Sequence, residues 1–257
     1  MALRPKPHNP FATPRIPCEV APGVTLLGSR RINFYAVAEG RSITLIDCGF
    51  YGHLRYLESW LGACGRRLHD IEAVVITHGD GDHVGFASVF GPLGIPVYVP
   101  RPDLAEARAR QRVPMGKILR NLWRPACLGL ALESHFDSAP IQPAADNAVG
   151  YEPGAVLDLP GQPQTVHVPG HSPGNCSVYL PGRGVLIGGD SLMTVNIFTG
   201  KTGVWAFSPH DRRQDDAALG NLSRLRPFAE AALLPGHGEP WLQAGAVGQA
   251  LDRVRIG

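Results

Sequence analysis

Short apolar runs, broken by glycine, proline and charged residues, recur through the first hundred positions of the chain. Runs of this kind between turn signals are typical of β-strands. They predict strands at residues 24–28, 33–38, 42–47, 71–77 and 97–99. Between the third and fourth of these, Leu54, Leu57, Trp60 and Leu61 recur at helical spacing, which predicts a helix over residues 53–65.

The pattern changes over residues 101–150, where apolar residues recur at helical spacing on both sides of Pro114. We expect two helices that end near Pro125, followed by an alanine- and proline-rich loop over residues 138–154. Basic residues outnumber acidic ones on these helices. They form either an ordinary solvated face or a patch that attracts an anionic substrate. We interpret residues 101–150 as a helical insertion that acts as a lid, because long connections often carry function.

Strand character returns in the last part of the chain. Strands are predicted at residues 155–159, 165–168, 176–180 and 184–187, separated by glycine and proline turns. A helix is predicted over residues 211–225. A last strand is predicted to end with the apolar residues Leu233 and Leu234. Two strand-rich halves therefore flank the helical insertion.

Composition narrows the class of protein. A chain of 257 residues that is 44% hydrophobic is long enough for one large domain, and we expect a single domain over residues 1–257. The net charge of +2 gives no reason to expect a nucleic acid or a membrane as partner. The proline-rich arm, residues 1–20, lacks the apolar segment of a secretory signal, which predicts a cytoplasmic protein. Five scattered cysteines without C-x-x-C spacing argue against a disulfide framework and a thiolate zinc site.

The most distinctive stretch is residues 76–85, which we call the ligand loop. His78, Asp80, Asp82 and His83 fall within six consecutive positions after an apolar run, with glycines between them that let the backbone bend. Histidine and aspartate are common metal ligands, so the loop is interpreted as a metal cradle rather than a polar surface turn. Asp82 and His83 are expected at the start of a short helix, where the helix dipole favours a carboxylate.

Four more chemically capable side chains stand at predicted strand ends. Asp47 closes an early strand, and His171 lies in a Pro-Gly-His turn. Asp190 follows a Gly-Gly pair, and His237 lies in a Pro-Gly-His-Gly sequence. Each alone would be an ordinary surface residue, but strand ends are where sites form in layered α/β proteins. Their recurrence beside the ligand loop predicts a shared site.

With these five motifs in this order, the chain resembles the metallo-β-lactamase-fold superfamily, among the single-domain hydrolases related to glyoxalase II and the acyl-homoserine lactonases. The resemblance extends from about Val24 to His237. It implies an α+β fold, a four-layer αββα sandwich in which two mixed sheets pack face to face. The helices lie outside, and the metal site lies at one edge with the helical insertion over it.

The resemblance also implies a role for each ligand. Two divalent metal ions are expected, with zinc as the first expectation. Carried over position by position, the first ion takes His78, Asp80 and His171, the second takes Asp82, His83 and His237, Asp190 bridges both, and Asp47 supports the ligand loop. The family's His-x-His-x-Asp-His motif has a further histidine where this chain has Asp80. Since a carboxylate is a harder ligand, iron or manganese is an alternative to zinc.

The resemblance implies a metal-dependent hydrolase. A metal-bound hydroxide would cleave an ester-like bond in a small molecule, with a thioester or a lactone favoured, and Asp82 and Asp190 would be its catalytic carboxylates. Tyr35 on an early strand, and Phe198 and Trp205 after Asp190, are candidate substrate contacts.

Three alternatives remain open at this point. One is a mononuclear iron oxidoreductase like the persulfide dioxygenases, with iron held by His78, His171 and Asp190 alone. Another is a phosphodiesterase of the same fold, although the chain has no strongly basic groove for a nucleic acid. A third is a binding protein on a metallised scaffold, which so complete a ligand set disfavours.

Overall fold

The first sheet has seven strands that lie side by side in chain order. The computed structural model describes residues 12–109, 119, 121–137, 144–206 and 218–256. The first four strands pair antiparallel and the last four pair parallel. The strands are β1 (Cys18–Ala21), β2 (Val24–Gly28), β3 (Asn33–Glu39), β4 (Ser42–Ile46), β5 (Ile71–Val75), β6 (Val97–Pro100) and β7 (Ala148–Tyr151).

The second half of the chain forms a four-stranded and a three-stranded sheet. The strands of the four-stranded sheet are β8 (Gln164–His167), β9 (Cys176–Leu180), β10 (Val185–Gly189) and β13 (Ala232–Pro235). They lie in the order β13-β10-β9-β8, in which β10 and β13 are parallel. The smaller sheet consists of β11 (Met193–Val195), β12 (Thr202–Ala206) and β14 (Arg255–Ile256).

Helices are short and lie mostly between strands. The described α-helices are Leu54–Ala63, Gly81–Val84, Leu104–Ala107, Pro125–Asp137 and Ala246–Arg253. The 3-10 turns are Tyr51–His53, Leu68–Asp70, Ala87–Val89, Gly91–Leu93, Arg101–Asp103, Pro181–Arg183 and Leu222–Phe228. Within the described ranges, none of these helices has the length and apolar character that a membrane crossing requires.

Strand alternation builds the layers. On β3, Tyr35 and Val37 point into a buried cluster shared with Val178 and Ile187 of the second sheet. The other face of the first sheet packs on the helix Leu54–Ala63, and the far face of the second sheet packs on the helix Ala246–Arg253. The order of layers is therefore helix, sheet, sheet, helix, which confirms the αββα sandwich.

Most predicted elements are observed within two residues of their predicted bounds. The strand predicted over residues 155–159 is wrong: Val156 makes only an isolated bridge to Gln164. The backbone there folds on itself, with the Leu157 N–H donating to the Pro163 carbonyl, so Leu157 and Leu159 are partly buried without a strand while Val156 is exposed. The short strands β11 and β12 were not predicted.

The helical insertion also differs from expectation. Pro125 begins the helix Pro125–Asp137 instead of ending one, because proline is well suited to the first helical position. Part of the predicted loop is β7, which pairs with β6. Residues 1–11 of the arm, 110–118, 120 and 138–143 of the insertion, and 211–217 of a predicted helix lie outside the described residues. The lid therefore stays a prediction.

Candidate metal centre

The predicted ligands follow strands whose ends meet at one edge of the two large sheets. Asp47 follows β4 and the ligand loop follows β5, and these strands are parallel neighbours. Asp190 and His237 follow β10 and β13, which are parallel neighbours in the second sheet. His171 lies in the turn between β8 and β9. The carboxyl ends of parallel strands share an edge, so residues far apart in sequence converge there.

The first ligand group consists of His78, Asp80 and His171. His171 Nε2 lies 3.0 Å from Asp80 Oδ2, and His78 Nε2 lies 3.9 Å from the same oxygen. Asp190 joins this group through Oδ2, which lies 3.6 Å from His171 Nε2. The group therefore offers two ring nitrogens and two carboxylate oxygens.

The second ligand group consists of Asp82, His83 and His237. His237 Nε2 lies 3.5 Å from Asp82 Oδ2 and 3.3 Å from Asp190 Oδ1. His83 Nε2 lies 3.4 Å from the same Asp190 oxygen. Asp190 thus turns one oxygen toward each group, which is the arrangement a bridging carboxylate needs.

These spacings fit two metal ions. Four ligands about 2.0–2.1 Å from one ion at tetrahedral angles stand about 3.3–3.4 Å apart. In the described part of the chain, buried Nε2 atoms of His78, His83 and His237 and Oδ1 of Asp190 make no hydrogen bond. Burying polar atoms without partners is costly, and a bound ion would supply the missing partner. At Gly236 an added Cβ would lie 2.9 Å from Asp190 Oδ1, so only glycine leaves this space open.

Asp47 orients both histidines of the ligand loop. His83 Nδ1 donates to Asp47 Oδ2 at 2.9 Å, since a carboxylate can only accept. The Thr77 hydroxyl donates to the same oxygen at 2.9 Å and accepts from His78 Nδ1 at 3.0 Å. Both rings therefore carry a proton on Nδ1 and turn Nε2 toward the centre. Asp47 itself has a φ of 63°, a conformation that non-glycine residues seldom adopt.

The His237 segment is held by the early strands. His237 Nδ1 donates to the Arg31 carbonyl at 2.7 Å. The Asn33 amide donates to the Pro235 and Gly238 carbonyls, and the Tyr35 hydroxyl donates to the Pro235 carbonyl at 2.7 Å. Tyr35 is 1% exposed. Its hydroxyl supports the backbone that presents His237, and its role as a substrate contact stays a prediction.

Burial and the neighbouring side chains shift the pKa values of the candidate ligands in the metal-free protein. Burial alone would lower the pKa of His171, but the hydrogen bond from its ring to Asp80 and the charge of Asp190 outweigh burial and raise this pKa to about 9. Burial, together with His83 and His171, holds the pKa of His78 well below its usual value. Burial opposes ionisation of Asp190, yet His237 and His83 hold the pKa of its carboxyl well below the usual range.

A family model described as the metallo-beta-lactamase superfamily matches residues 27–237, which are most of the chain and include every proposed ligand. The chain belongs to the metallo-beta-lactamase superfamily. This membership accounts for the αββα sandwich.

Individual proteins show the same likeness. The chain is 23% identical over 239 residues to the probable metallo-hydrolase YflN of Bacillus subtilis (strain 168), and the match covers 86% of each. The metallo-beta-lactamase family protein TTHA1429 from Thermus thermophilus matches at 23% identity and a TM-score of 0.65, covering 91% of this chain and 78% of its own. TTHA1623, solved in a di-iron-bound form, matches at 27% identity and a TM-score of 0.56, covering 88% and 96%.

Asp103 is a buried residue at the centre that the sequence interpretation missed. It follows β6, and its carboxylate accepts from the backbone N–H of Gly79 and Gly174 and from the Ser172 hydroxyl. The signal was available, because Asp103 follows a parallel strand as Asp47 does. The sequence interpretation missed it because residues 101–150 were interpreted as a helical lid, and the superfamily motifs assign no ligand within that segment.

The two aromatic candidates after Asp190 remain predictions. Phe198 lies half-buried between β11 and β12, and its N–H donates to the Asn196 side chain. The segment begins at the centre, since Thr194 donates its N–H to the His237 carbonyl. Trp205 lies on β12 and donates its indole N–H to the Lys201 carbonyl. That bond is within the small sheet, so it gives no support to a substrate contact.

A second cluster of ligand-type side chains has another explanation. His53, Glu133 and Asp137 are fully buried, and His53 Nε2 lies 3.3 Å from Glu133 Oε1 and 3.6 Å from Asp137 Oδ2. Each carboxylate also pairs with an arginine: Glu133 with Arg31 and Asp137 with Arg55. The two guanidinium groups already balance the carboxylates, so a metal ion here would add uncompensated positive charge. The cluster ties the helix Pro125–Asp137 to the segments beside the centre.

Proposed function

We propose that this metallo-hydrolase of the metallo-beta-lactamase superfamily cleaves an ester-like bond in a small molecule, a thioester or a lactone, at a centre of two divalent ions. The observation that carries the proposal is the position of Asp190, with one oxygen toward each ligand group. A site for one ion would need only one group of ligands, whereas here a complete group lies on each side of the Asp190 carboxylate.

Metal ions held by these residues would supply Lewis acidity, which would lower the pKa of a water molecule and polarise the scissile carbonyl. Asp80, Asp82 and Asp190 together offset three of the four positive charges of two divalent ions. A histidine in place of Asp80 would leave one more positive charge. Zinc is the first expectation, and the extra carboxylate makes iron or manganese the alternative.

The exposed side of the centre indicates where the substrate arrives. The side chains of Asp80 and Asp82 are 41% and 22% exposed, whereas those of His78, His83 and His237 are fully buried. The substrate carbonyl therefore approaches past the two carboxylates of the ligand loop. Asp82 is placed to accept a proton from the attacking water and to return it to the leaving thiol or alcohol.

The reaction adds one water across the bond. The acyl carbon gains the hydroxyl group of the water, and the bond from that carbon to sulfur or to the ester oxygen breaks. The remaining proton of the water goes to the leaving thiol or alcohol. No nucleophilic side chain is required, so no acyl-enzyme is expected. Orientation of the reacting groups comes from the ligands and from the residues that hold them.

An activity panel tests the proposal. The purified protein, with its metal content measured, is assayed against acyl thioesters, lactones, aryl esters, β-lactams and phosphodiesters. We expect hydrolysis of a thioester or a lactone, lost on treatment with a chelator, restored by metal and abolished in Asp190→Asn. Fully metallated protein that hydrolyses neither class would contradict the proposal, and turnover of phosphodiesters alone would reassign the substrate.

A further inference from the structure

Asp103 connects two loops that are far apart in sequence. Its side chain is buried, and Oδ1 accepts from the Gly174 N–H at 2.7 Å. Oδ2 accepts from the Gly79 N–H at 3.2 Å and from the Ser172 hydroxyl. One carboxylate thus holds the ligand loop after β5 and the turn before β9 at a fixed separation.

The donors adjoin the ligands of the first group. Gly79 lies between His78 and Asp80, and Ser172 directly follows His171. His78, Asp80 and His171 are the whole of the first group apart from the bridging Asp190. The second group has other supports: Asp47 orients His83 directly, and the Arg31 carbonyl orients His237. Asp47 reaches His78 of the first group only through the Thr77 hydroxyl, and it makes no contact of this kind with the His171 turn in the described residues.

The site around Asp103 is specific for a carboxylate. All three partners donate, and a carboxylate is the side-chain group that only accepts. In the described residues Asp103 forms no ion pair, so these hydrogen bonds stabilise its buried charge. Space is also tight, because a Cβ on Gly174 would lie 2.7 Å from the Asp103 carboxyl carbon. An amide at position 103 would turn an N–H toward one of the donors.

We propose that Asp103 is a positioning residue of the first ligand group. It sets the distance between the ligand loop and the His171 turn, and so determines whether the first ion binds. The inference rests on the proposed two-ion centre. Supporting residues of this kind change metal affinity by about 10–100-fold.

The test is a titration of metal-free protein with Co²⁺, followed by visible absorption and calorimetry. We expect the wild-type protein to bind two equivalents. In Asp103→Asn one equivalent should bind with nearly wild-type affinity, while the other is weakened by about 10–100-fold. A role in general stability alone would weaken both equivalents together.

A matched control and a milder variant sharpen the result. Asp70→Asn makes the same chemical change at a residue that accepts a backbone N–H from Arg67, away from the centre, and should leave both equivalents unchanged. Ser172→Ala removes one of the three donors and should weaken the same equivalent by a smaller factor. It carries the test if Asp103→Asn does not fold.

The outcomes separate this inference from the function. Wild-type protein that binds only one Co²⁺ would overturn the two-ion centre and this inference with it. Wild-type protein with two equivalents, beside an Asp103→Asn variant that binds both unchanged or loses both equally, would overturn the role of Asp103 alone.

Discussion

At the scale of single residues, Asp80 is the feature that sets this centre apart from the motif it resembles. Its oxygen lies 3.0 Å from His171 Nε2, the distance of a direct hydrogen bond in metal-free protein and close to the spacing of two ligands on one ion. Burial opposes ionisation of Asp80, but His171 and His78 hold the pKa of its carboxyl well below the usual range. It therefore carries a negative charge at the first ligand group.

Replacing Asp80 with histidine should move metal preference toward zinc. The variant replaces a carboxylate ligand with an imidazole nitrogen and removes one negative charge. Because manganese prefers oxygen ligands more strongly than zinc does, it should lose more affinity than zinc from this change. Competition between Zn²⁺ and Mn²⁺ for metal-free protein should favour zinc by at least about tenfold more than in the wild-type protein. An unchanged preference would show that Asp80 does not act as a ligand.

Metal binding should release protons near neutral pH. The pKa of His171 is raised from 6.5 to about 9 in the metal-free protein, so its ring is protonated at neutral pH. A metal ion must displace that proton, and apparent affinity should therefore rise as the pH rises toward about 9. Calorimetry in buffers of different ionisation enthalpy measures the released protons. Affinity that does not change with pH in this range would contradict the Asp80–His171 pairing.

At the scale of elements, the helix Pro125–Asp137 is fixed beside the centre by buried charge. Glu133 and Asp137 are fully buried and pair with Arg31 and Arg55, and the Arg31 carbonyl accepts from His237. Leu130 of the same helix packs with Ile32 and Phe50. The helix and the segment that orients His237 thus form one packed unit.

Breaking this anchor should destabilise the fold. Asp137→Asn leaves Arg55 without its buried partner, and we expect a loss of about 3 kcal/mol in the free energy of unfolding. The matched change Asp252→Asn breaks an exposed pair with Arg226 and should cost less than about 1 kcal/mol. Urea unfolding of metal-free protein measures both. Equal losses would mean that burial of the Asp137 pair carries no energetic weight.

The element scale also shows what the sequence could and could not predict. Strands such as β2 and β9 were found at their observed bounds because their apolar runs end at clear turn residues. Predictions were wrong where one sequence signal fits two structures. Proline can end a helix or begin one, and Pro125 begins one. A short apolar run can form a strand or lie in turns, and the run after Gly154 lies in turns. The strand β7 was missed because its pairing with β6 is a tertiary contact that no local pattern records.

At the scale of the whole molecule, the arrangement of the two large sheets accounts for the centre. Each sheet contributes a parallel pair of strands, and the packed interior places their carboxyl ends at a common edge. The residues of the two candidate ligand groups could be named from motifs and their order in the chain. Their supports could not, since the contacts of Asp103, Tyr35 and Arg31 cross between loops and depend on the assembled fold.

The metal content of the protein, purified without added metal and measured by mass spectrometry against protein concentration, tests the two-ion centre most directly. The geometry of Asp190 between two ligand groups predicts two equivalents per chain in wild-type protein. One equivalent of iron, with oxygen consumed in the presence of a persulfide, would contradict the two-ion hydrolase.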